Sequence, residues 1–116
     1  MQYILMAYVN EAGWPKMTPA EQQQGMAAYM AYGEALAKAG VVKGSNRLQP
    51  SSAATTVRVE NGKSQVLDGP YADSKEQLGG YFIIDVPDLD AAISWAARCP
   101  ASSHGTVEVR PLWDMR

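Results

Sequence analysis

The stretch Tyr81-Phe82-Ile83-Ile84-Asp85-Val86-Pro87-Asp88-Leu89-Asp90-Ala91-Ala92-Ile93 decides the fold class. Tyr81 to Val86 is rich in aromatic and β-branched residues and reads as a strand, which Pro87 ends because proline has no N–H to give to a sheet ladder. Asp88 then caps a helix whose apolar stripe is Leu89, Ala92, Ile93 and Ala96, with Trp95 and Cys99 on its flank and Pro100 as its close. A strand handing over directly to an amphipathic helix is one βα unit, and a second such unit opens the chain.

Residues 2–9 are apolar on both alternating faces, Tyr3, Leu5, Ala7 and Val9 against Ile4, Met6 and Tyr8, which predicts a central strand covered on both sides. Thr18-Pro19-Ala20-Glu21 combines a hydroxyl cap, proline at the first helical position and a carboxylate three residues after the cap. Met26, Tyr29, Met30, Gly33, Leu36 and Ala37 follow at helical spacing and Gly40 supplies the stop, predicting a helix over about 19–39. Val41-Val42 reads as a short strand before a polar loop around Asn46, Gln49, Pro50, Ser51 and Ser52. Thr55-Thr56-Val57-Arg58-Val59 and Ser64-Gln65-Val66-Leu67 flank Asn61-Gly62, the preferred two-residue hairpin turn because both positions accept positive φ. Asp68-Gly69-Pro70 ends the hairpin, and Thr106 to Leu112 alternates as a last strand, with a loop expected at Ser102-Ser103-His104-Gly105.

The order β, α, short β, hairpin, β, α, β predicts an α+β fold, a ferredoxin-like split βαβ subunit with an inserted β-hairpin and its helices on one face of the sheet, as one domain over 1–116. The other face carries enough apolar surface that a second subunit is expected to cover it as a twofold dimer, the two sheets enclosing a cavity.

Composition narrows the function. The 116 residues carry 10 basic and 12 acidic side chains, a net charge of -2, which offers no basic field for nucleic acid. With Cys99 alone there is no internal disulfide, Cys-rich zinc site or redox pair, in keeping with a reducing cytoplasm. The opening strand lacks the basic flank of a signal peptide and the length of a membrane span. No cofactor is expected, and no metal either, since one His and one Cys form no ligand pattern.

The densest polar constellation is Asp68-Gly69-Pro70-Tyr71-Ala72-Asp73-Ser74-Lys75-Glu76. Gly69-Pro70 fixes a turn, Asp68 suits a base or anchor at a strand end, and Lys75 and Glu76 offer one charge of each sign. The same residues also read as a surface turn with an exposed ion pair. His104, the only histidine, has the ring suited to proton transfer near neutrality, although its loop also reads as ordinary solvent-exposed chain. Arg110 shares a strand face with Glu108, and its planar fork suits either that carboxylate or a ligand's carboxylate or phosphate. Trp14, Tyr29, Tyr32 and Trp113 read mostly as packing residues, and Cys99 as a buried, inert thiol.

The 68–76 loop, with Leu78-Gly79-Gly80-Tyr81-Phe82-Ile83-Ile84-Asp85-Val86, Asp88-Leu89-Asp90-Ala91-Ala92 and Val107-Glu108-Val109-Arg110-Pro111, resembles the DGPF family of YCII-related proteins. The family's loop reads Asp-Gly-Pro-Phe-Ala-Glu-Thr-Lys-Glu, and Tyr71, Asp73 and Ser74 stand here for its Phe, Glu and Thr. The resemblance covers essentially the whole chain. It implies a dimeric α+β barrel, a small bacterial cytoplasmic protein, and for some members an association with extracytoplasmic-function sigma factors. It also implies an acid/base pocket, although the first helix here has no histidine, leaving His104 as the sole one. Two functions follow as expectations. One is a small-molecule site of isomerase or lyase type, with Asp68 and His104 as catalytic groups and Arg110, Tyr71, Lys75 and Glu76 binding substrate. The other is a non-catalytic regulatory or ligand-sensing module of a sigma factor.

Overall fold

The computed structural model describes residues 1–114. The elements are β1 Gln2–Val9, α1 Pro19–Ala39, β2 Val42–Arg47, β3 Thr55–Glu60, β4 Lys63–Asp68, β5 Gln77–Asp85, α2 Leu89–Arg98, α3 Ala101–His104 and β6 Thr106–Pro111. Four strands form an antiparallel sheet in the order β2-β5-β1-β6, and β3 and β4 form a separate two-stranded ladder. Because β5 lies beside β1 rather than beside β4, each helix crosses over one face, which is the ferredoxin-like α+β plan.

α1 starts where its cap residues require. Glu21 N donates to Thr18 Oγ1 at 3.2 Å and Thr18 N donates to Glu21 Oε1 at 2.9 Å, so two orphan amides of the first turn are satisfied reciprocally. The Thr18 amide, and after it the Thr18 side chain, hold the Glu21 carboxyl below the ordinary glutamate range. Gly40, at φ 72°, closes the helix in the left-handed conformation.

Tyr3, Leu5 and Ala7 of β1, Ile84 of β5, Tyr32 and Leu36 of α1, Ala92 and Ala96 of α2, with Cys99 and Ala101, make the core between the helices and one sheet face. Two tyrosines bring hydroxyls into it: that of Tyr3 donates to Met1 Sδ at 3.3 Å, and Tyr32 is held more firmly. Its hydroxyl donates to the Trp95 carbonyl at 2.7 Å, and its ring meets Phe82 edge-on at 5.1 Å and Trp95 at 6.3 Å.

Several elements differ from expectation. In α1, Met26 and Met30 of the expected stripe are exposed, because the inward line runs through Tyr29, Tyr32 and Leu36, and those methionines sit ~90–130° round the helix from its centre at ~100° per residue. In α2 the buried line is likewise Ala92 and Ala96, leaving Leu89 and Ile93 exposed. β2 extends to Arg47 where a loop is expected, because pairing with β5 gives those polar residues ladder partners. β5 begins at Gln77, taking Gly79-Gly80 into the strand. There a Cβ on Gly80 would lie 2.9 Å from the Asn46 carbonyl oxygen, so glycine is what lets β2 close up. The expected loop before β6 is the single helical turn α3.

β1 is central, as expected, and its two faces differ. Tyr3, Leu5 and Ala7 are buried under the helices, whereas Ile4, Met6 and Tyr8 are only half-buried on the other face. By register, Tyr81, Ile83, Glu108, Arg110, Thr106 and Asn46 share that open face.

Candidate functional site

Two strand ends and one loop build a cleft at the edge of the open face. Tyr8, next to last in β1, pairs with Thr106, the first residue of β6, so the two side chains stand side by side on that face. A register shift between Ala7 and Tyr8 sets Tyr8 opposite Leu78 and leaves Gly79 as the extra residue, a bulge that bends the strands where the cleft opens. The chain between β4 and β5 then folds back over this end. Thr106 Oγ1 donates to Glu76 Oε1 at 2.8 Å, and Gln77 Nε2 donates to the Ser74 carbonyl at 2.7 Å, fixing the loop from both sides. Tyr8, Ala72, Ser74, Lys75, Glu76 and Thr106 line this cleft, a shallow hollow of about 640 Å³ that is wide open on one side.

Gly105 is required beside it. A Cβ there would lie 2.2 Å from the Tyr8 carbonyl oxygen, a separation no side chain tolerates, so the turn from α3 into β6 can press against β1 only with glycine.

The expected site residues divide into those the cleft gathers and those it does not. Lys75 and Glu76 lie in its wall. Tyr71 precedes it on the same loop but is exposed, its ring 5.9 Å from the Arg58 guanidinium. Asp68 ends β4 opposite Thr55 and is exposed, at the foot of the hairpin. His104 ends α3, two residues before Thr106, and its Nδ1 lies 3.3 Å from Ser103 Oγ. Among the described residues no hydrogen bond or ion pair is seen joining Asp68, His104 and Arg110. Arg110 pairs with Glu108 on the open face, opposite Ile4 in β1.

Tyr8, Ala72, Ser74 and Thr106 are the lining residues that sequence reasoning passed over. Tyr8 is apolar strand chain by pattern, and only the pairing of β1 with β6 sets it beside Thr106. The packing residues behave unequally: Tyr32 is buried, Tyr29 half-buried, and Trp14 and Trp113 are exposed, Trp14 lying 5.9 Å from the Arg47 guanidinium. Burial pushes the Cys99 thiol and the Tyr29 and Tyr32 phenols up, which removes all three from proton chemistry near neutrality.

A second hollow of about 300 Å³ between Arg47, Leu48, Gln49 and Pro50 offers one cation and no acid/base partner. Among the described residues no three His, Cys, Asp or Glu side chains gather to hold a metal ion, and no helix is long and apolar enough to cross a membrane.

A family model described as the YCII-related domain matches residues 1–116. An uncharacterised protein of Rhizobium meliloti (strain 1021) is 35% identical over 114 residues, spanning 97% of this chain and 92% of that one. Among solved structures, the 5-chloro-2-hydroxyhydroquinone dehydrochlorinase (TftG) from Burkholderia phenoliruptrix AC1100, in complex with 2,5-dihydroxybenzoquinone, matches with a TM-score of 0.56 at 15% identity, over 98% of this chain and 94% of that one. At that identity the likeness speaks to the fold, and it agrees with the ferredoxin-like α+β plan. The expected sigma-factor association finds no support in these similarities. A match along all of its length and a relative sharing a third of its residues show that the chain belongs to the YCII-related family.

Proposed function

We propose that this protein binds a small organic molecule in the cleft between the 71–76 loop and the open sheet face, and that it moves a proton on that molecule in an isomerase- or lyase-type reaction. The observation that carries the reading is the hydrogen bond from Thr106 to Glu76, which fixes a carboxylate beside Lys75 in the lining of an open hollow that also includes Tyr8. Thr106 engages one carboxylate oxygen, so Glu76 is oriented while its other oxygen can meet a ligand hydroxyl. Lys75 supplies a cation for an enolate or carboxylate, and the Tyr8 ring an apolar wall.

His104 and Asp68 are the further proton-handling groups of this reading, His104 two residues before Thr106 and Asp68 at the foot of the hairpin that feeds the loop. Arg110 and Tyr71 extend the binding surface along the open face and the loop. A second copy set face to face over Ile4, Met6, Tyr81 and Ile83 encloses the cleft. The setting is the cytoplasm of a bacterium. The likeness to a dehydrochlorinase holding a dihydroxybenzoquinone supports small, oxygen-substituted rings as the first ligands to try.

The test is a thermal-shift screen of hydroxylated quinones, cyclic hydroxyketones and small carboxylates at fixed protein concentration. A ligand at ten times its Kd stabilises by ~1.4 kcal/mol, or roughly 6 °C in a chain this size. The expected result is a hit that Glu76→Gln and Lys75→Ala weaken. Asp68→Asn and His104→Gln are then expected to spare binding and lower turnover. The reading fails if no compound of these classes shifts the melt, or if a shift is indifferent to both cleft substitutions.

A further inference from the structure

Residues 69–76 carry no strand or helix of their own, yet they bring Ala72, Ser74, Lys75 and Glu76 to the cleft. A segment of that kind is mobile unless it is tied. The bond from Thr106 to Glu76 is exposed, and one exposed hydrogen bond does not hold a loop by itself.

The stronger tie comes from Gln77. It is the first residue of β5 and pairs with Val9 of β1, so its backbone belongs to the sheet while its side chain serves the loop. The amide is used at both ends: Nε2 donates to the Ser74 carbonyl at 2.7 Å, and Oε1 accepts from Glu11 N at 3.0 Å. A carbonyl on one side and an N–H on the other leave one orientation of the amide, and a carboxylate in its place would set an acceptor where a donor is needed.

Glu11 is held in turn. It opens a short 3-10 turn, Glu11–Lys16, which Asn10 caps by accepting from Ala12 N at 3.0 Å. Its carboxylate takes both donors of Ser51, the amide on Oε1 and the hydroxyl on Oε2, each at 2.7 Å. The Ser51 carbonyl accepts from Ala54 N at 3.0 Å, and the Ala54 carbonyl accepts from Gly69 N at 2.7 Å, while Thr56 Oγ1 donates to the Gly69 carbonyl at 2.8 Å. The loop is thus closed on one residue from both ends, at Gly69 through Ala54 and Ser51, and at Ser74 through Gln77. Glu11, Ser51, Gly69 and Gln77 are all half-buried, so water competes less for these bonds than for the one at Thr106.

We propose that Gln77 is the positioning residue of the cleft, its amide suspending from Glu11 the loop that carries Lys75 and Glu76. Gln77 is not among the lining residues and acts through Ser74, whose hydroxyl donates to the Glu76 carbonyl and so passes its position on to the carboxylate-bearing residue. The consequence for binding rests on the cleft being the ligand site, as proposed above, whereas the order of the loop does not.

Limited trypsin digestion reads the loop directly, because Lys75 lies in it. Cleavage after Lys75 is followed by mass spectrometry in the wild type, Gln77→Met and Gln77→Glu, with circular dichroism to check folding. Each rate is divided by that of the same bond in a peptide of residues 70–80 carrying the same change, and cleavage after Lys38 of α1 reports global opening. Proteolysis of a folded chain follows the population of its open form, so loss of the tie should raise the Lys75 rate ~10-fold in both variants and leave the Lys38 rate unchanged. Gln77→Glu is the sharper variant, since it keeps the acceptor for Glu11 and loses only the donor to Ser74. For a ligand found in the screen, Gln77→Glu should weaken binding ~10-fold, and on a Glu76→Gln background most of that loss should vanish, because the two act through one carboxylate. If cleavage after Lys75 rises no more than cleavage after Lys38, the proposal falls. It falls equally if a ligand that depends on Glu76 binds Gln77→Glu as it binds the wild type. If no ligand is found, the reading of the cleft fails on its own, and the digestion still decides whether Gln77 holds the loop.

Discussion

Gly105→Ala tests whether the cleft depends on how closely the turn before β6 approaches β1. The new Cβ would sit 2.2 Å from the Tyr8 carbonyl oxygen, where real Cβ contacts do not fall below 3.0 Å, and 3.2 Å from the Ala101 carbonyl oxygen. The start of β6 must therefore retreat by about 0.8 Å, the difference between 3.0 and 2.2 Å, and both obstacles are backbone. Overpacking of this kind costs ~1–3 kcal/mol, and losing the first ladder bond between β6 and β1 adds ~1 kcal/mol. With an unfolding entropy of ~2.1 cal/mol/K per residue, each kcal/mol is worth ~4 °C here, so the melt should fall by ~8–16 °C. Thr106 moves with the strand and leaves Glu76, so any cleft ligand should bind more weakly as well. Gly33→Ala is the control: nothing lies within 4 Å of its Cβ position in the middle of α1, and replacing a helical glycine there should raise the melt by ~2–4 °C. Both are read by differential scanning calorimetry at equal protein concentration. A Gly105→Ala melt within ~2 °C of wild type would refute the reasoning, since no relaxation that small accommodates the contact.

Tyr32→Phe keeps both edge-on ring contacts and removes the hydrogen bond to Trp95, leaving that carbonyl unpaired in the core; urea unfolding should show a loss of ~1–2 kcal/mol. Thr18→Ala should cost ~1 kcal/mol through the α1 cap. Because the Glu21 carboxyl is held below its unfolded value, its contribution is complete above that value near 4.5 and is lost as pH falls through the lower folded value. The stability difference between wild type and Glu21→Gln in urea titrations should accordingly narrow below about pH 4. Cys99 is buried with its thiol pushed up, so a thiol reagent at neutral pH should label it only as fast as the protein unfolds, and rapid labelling of the native protein would contradict the packing.

The local signals read true where local chemistry decides the outcome. Thr18-Pro19-Ala20-Glu21 and Gly40 bound α1, Asp88 caps α2 through its bond from Ala91 N at 2.9 Å, and Asn61-Gly62 turns the hairpin with both residues at positive φ. Caps and turns are satisfied within three or four residues, so the sequence carries them complete. The apolar stripes of the helices read less well, because Met26, Met30, Leu89 and Ile93 have the spacing of a buried face while the sheet meets each helix along a line to one side of them.

Of the candidate site, the 68–76 loop was legible from its density of polar residues and its Gly-Pro turn, and Lys75 and Glu76 stand in the cleft. Tyr8 and Thr106 were not, being nearly a hundred residues apart and joined only by the β1–β6 pairing. The sequence by itself determined the two long helices, the hairpin and the cores of the other strands, with their order and the ferredoxin-like plan that order implies, because periodicity and capping are local. Only the tertiary structure decided that the hairpin pairs with no other strand and that β1, β6 and the loop meet at one sheet end, because strand order and register are set by long-range pairing that no window of sequence contains.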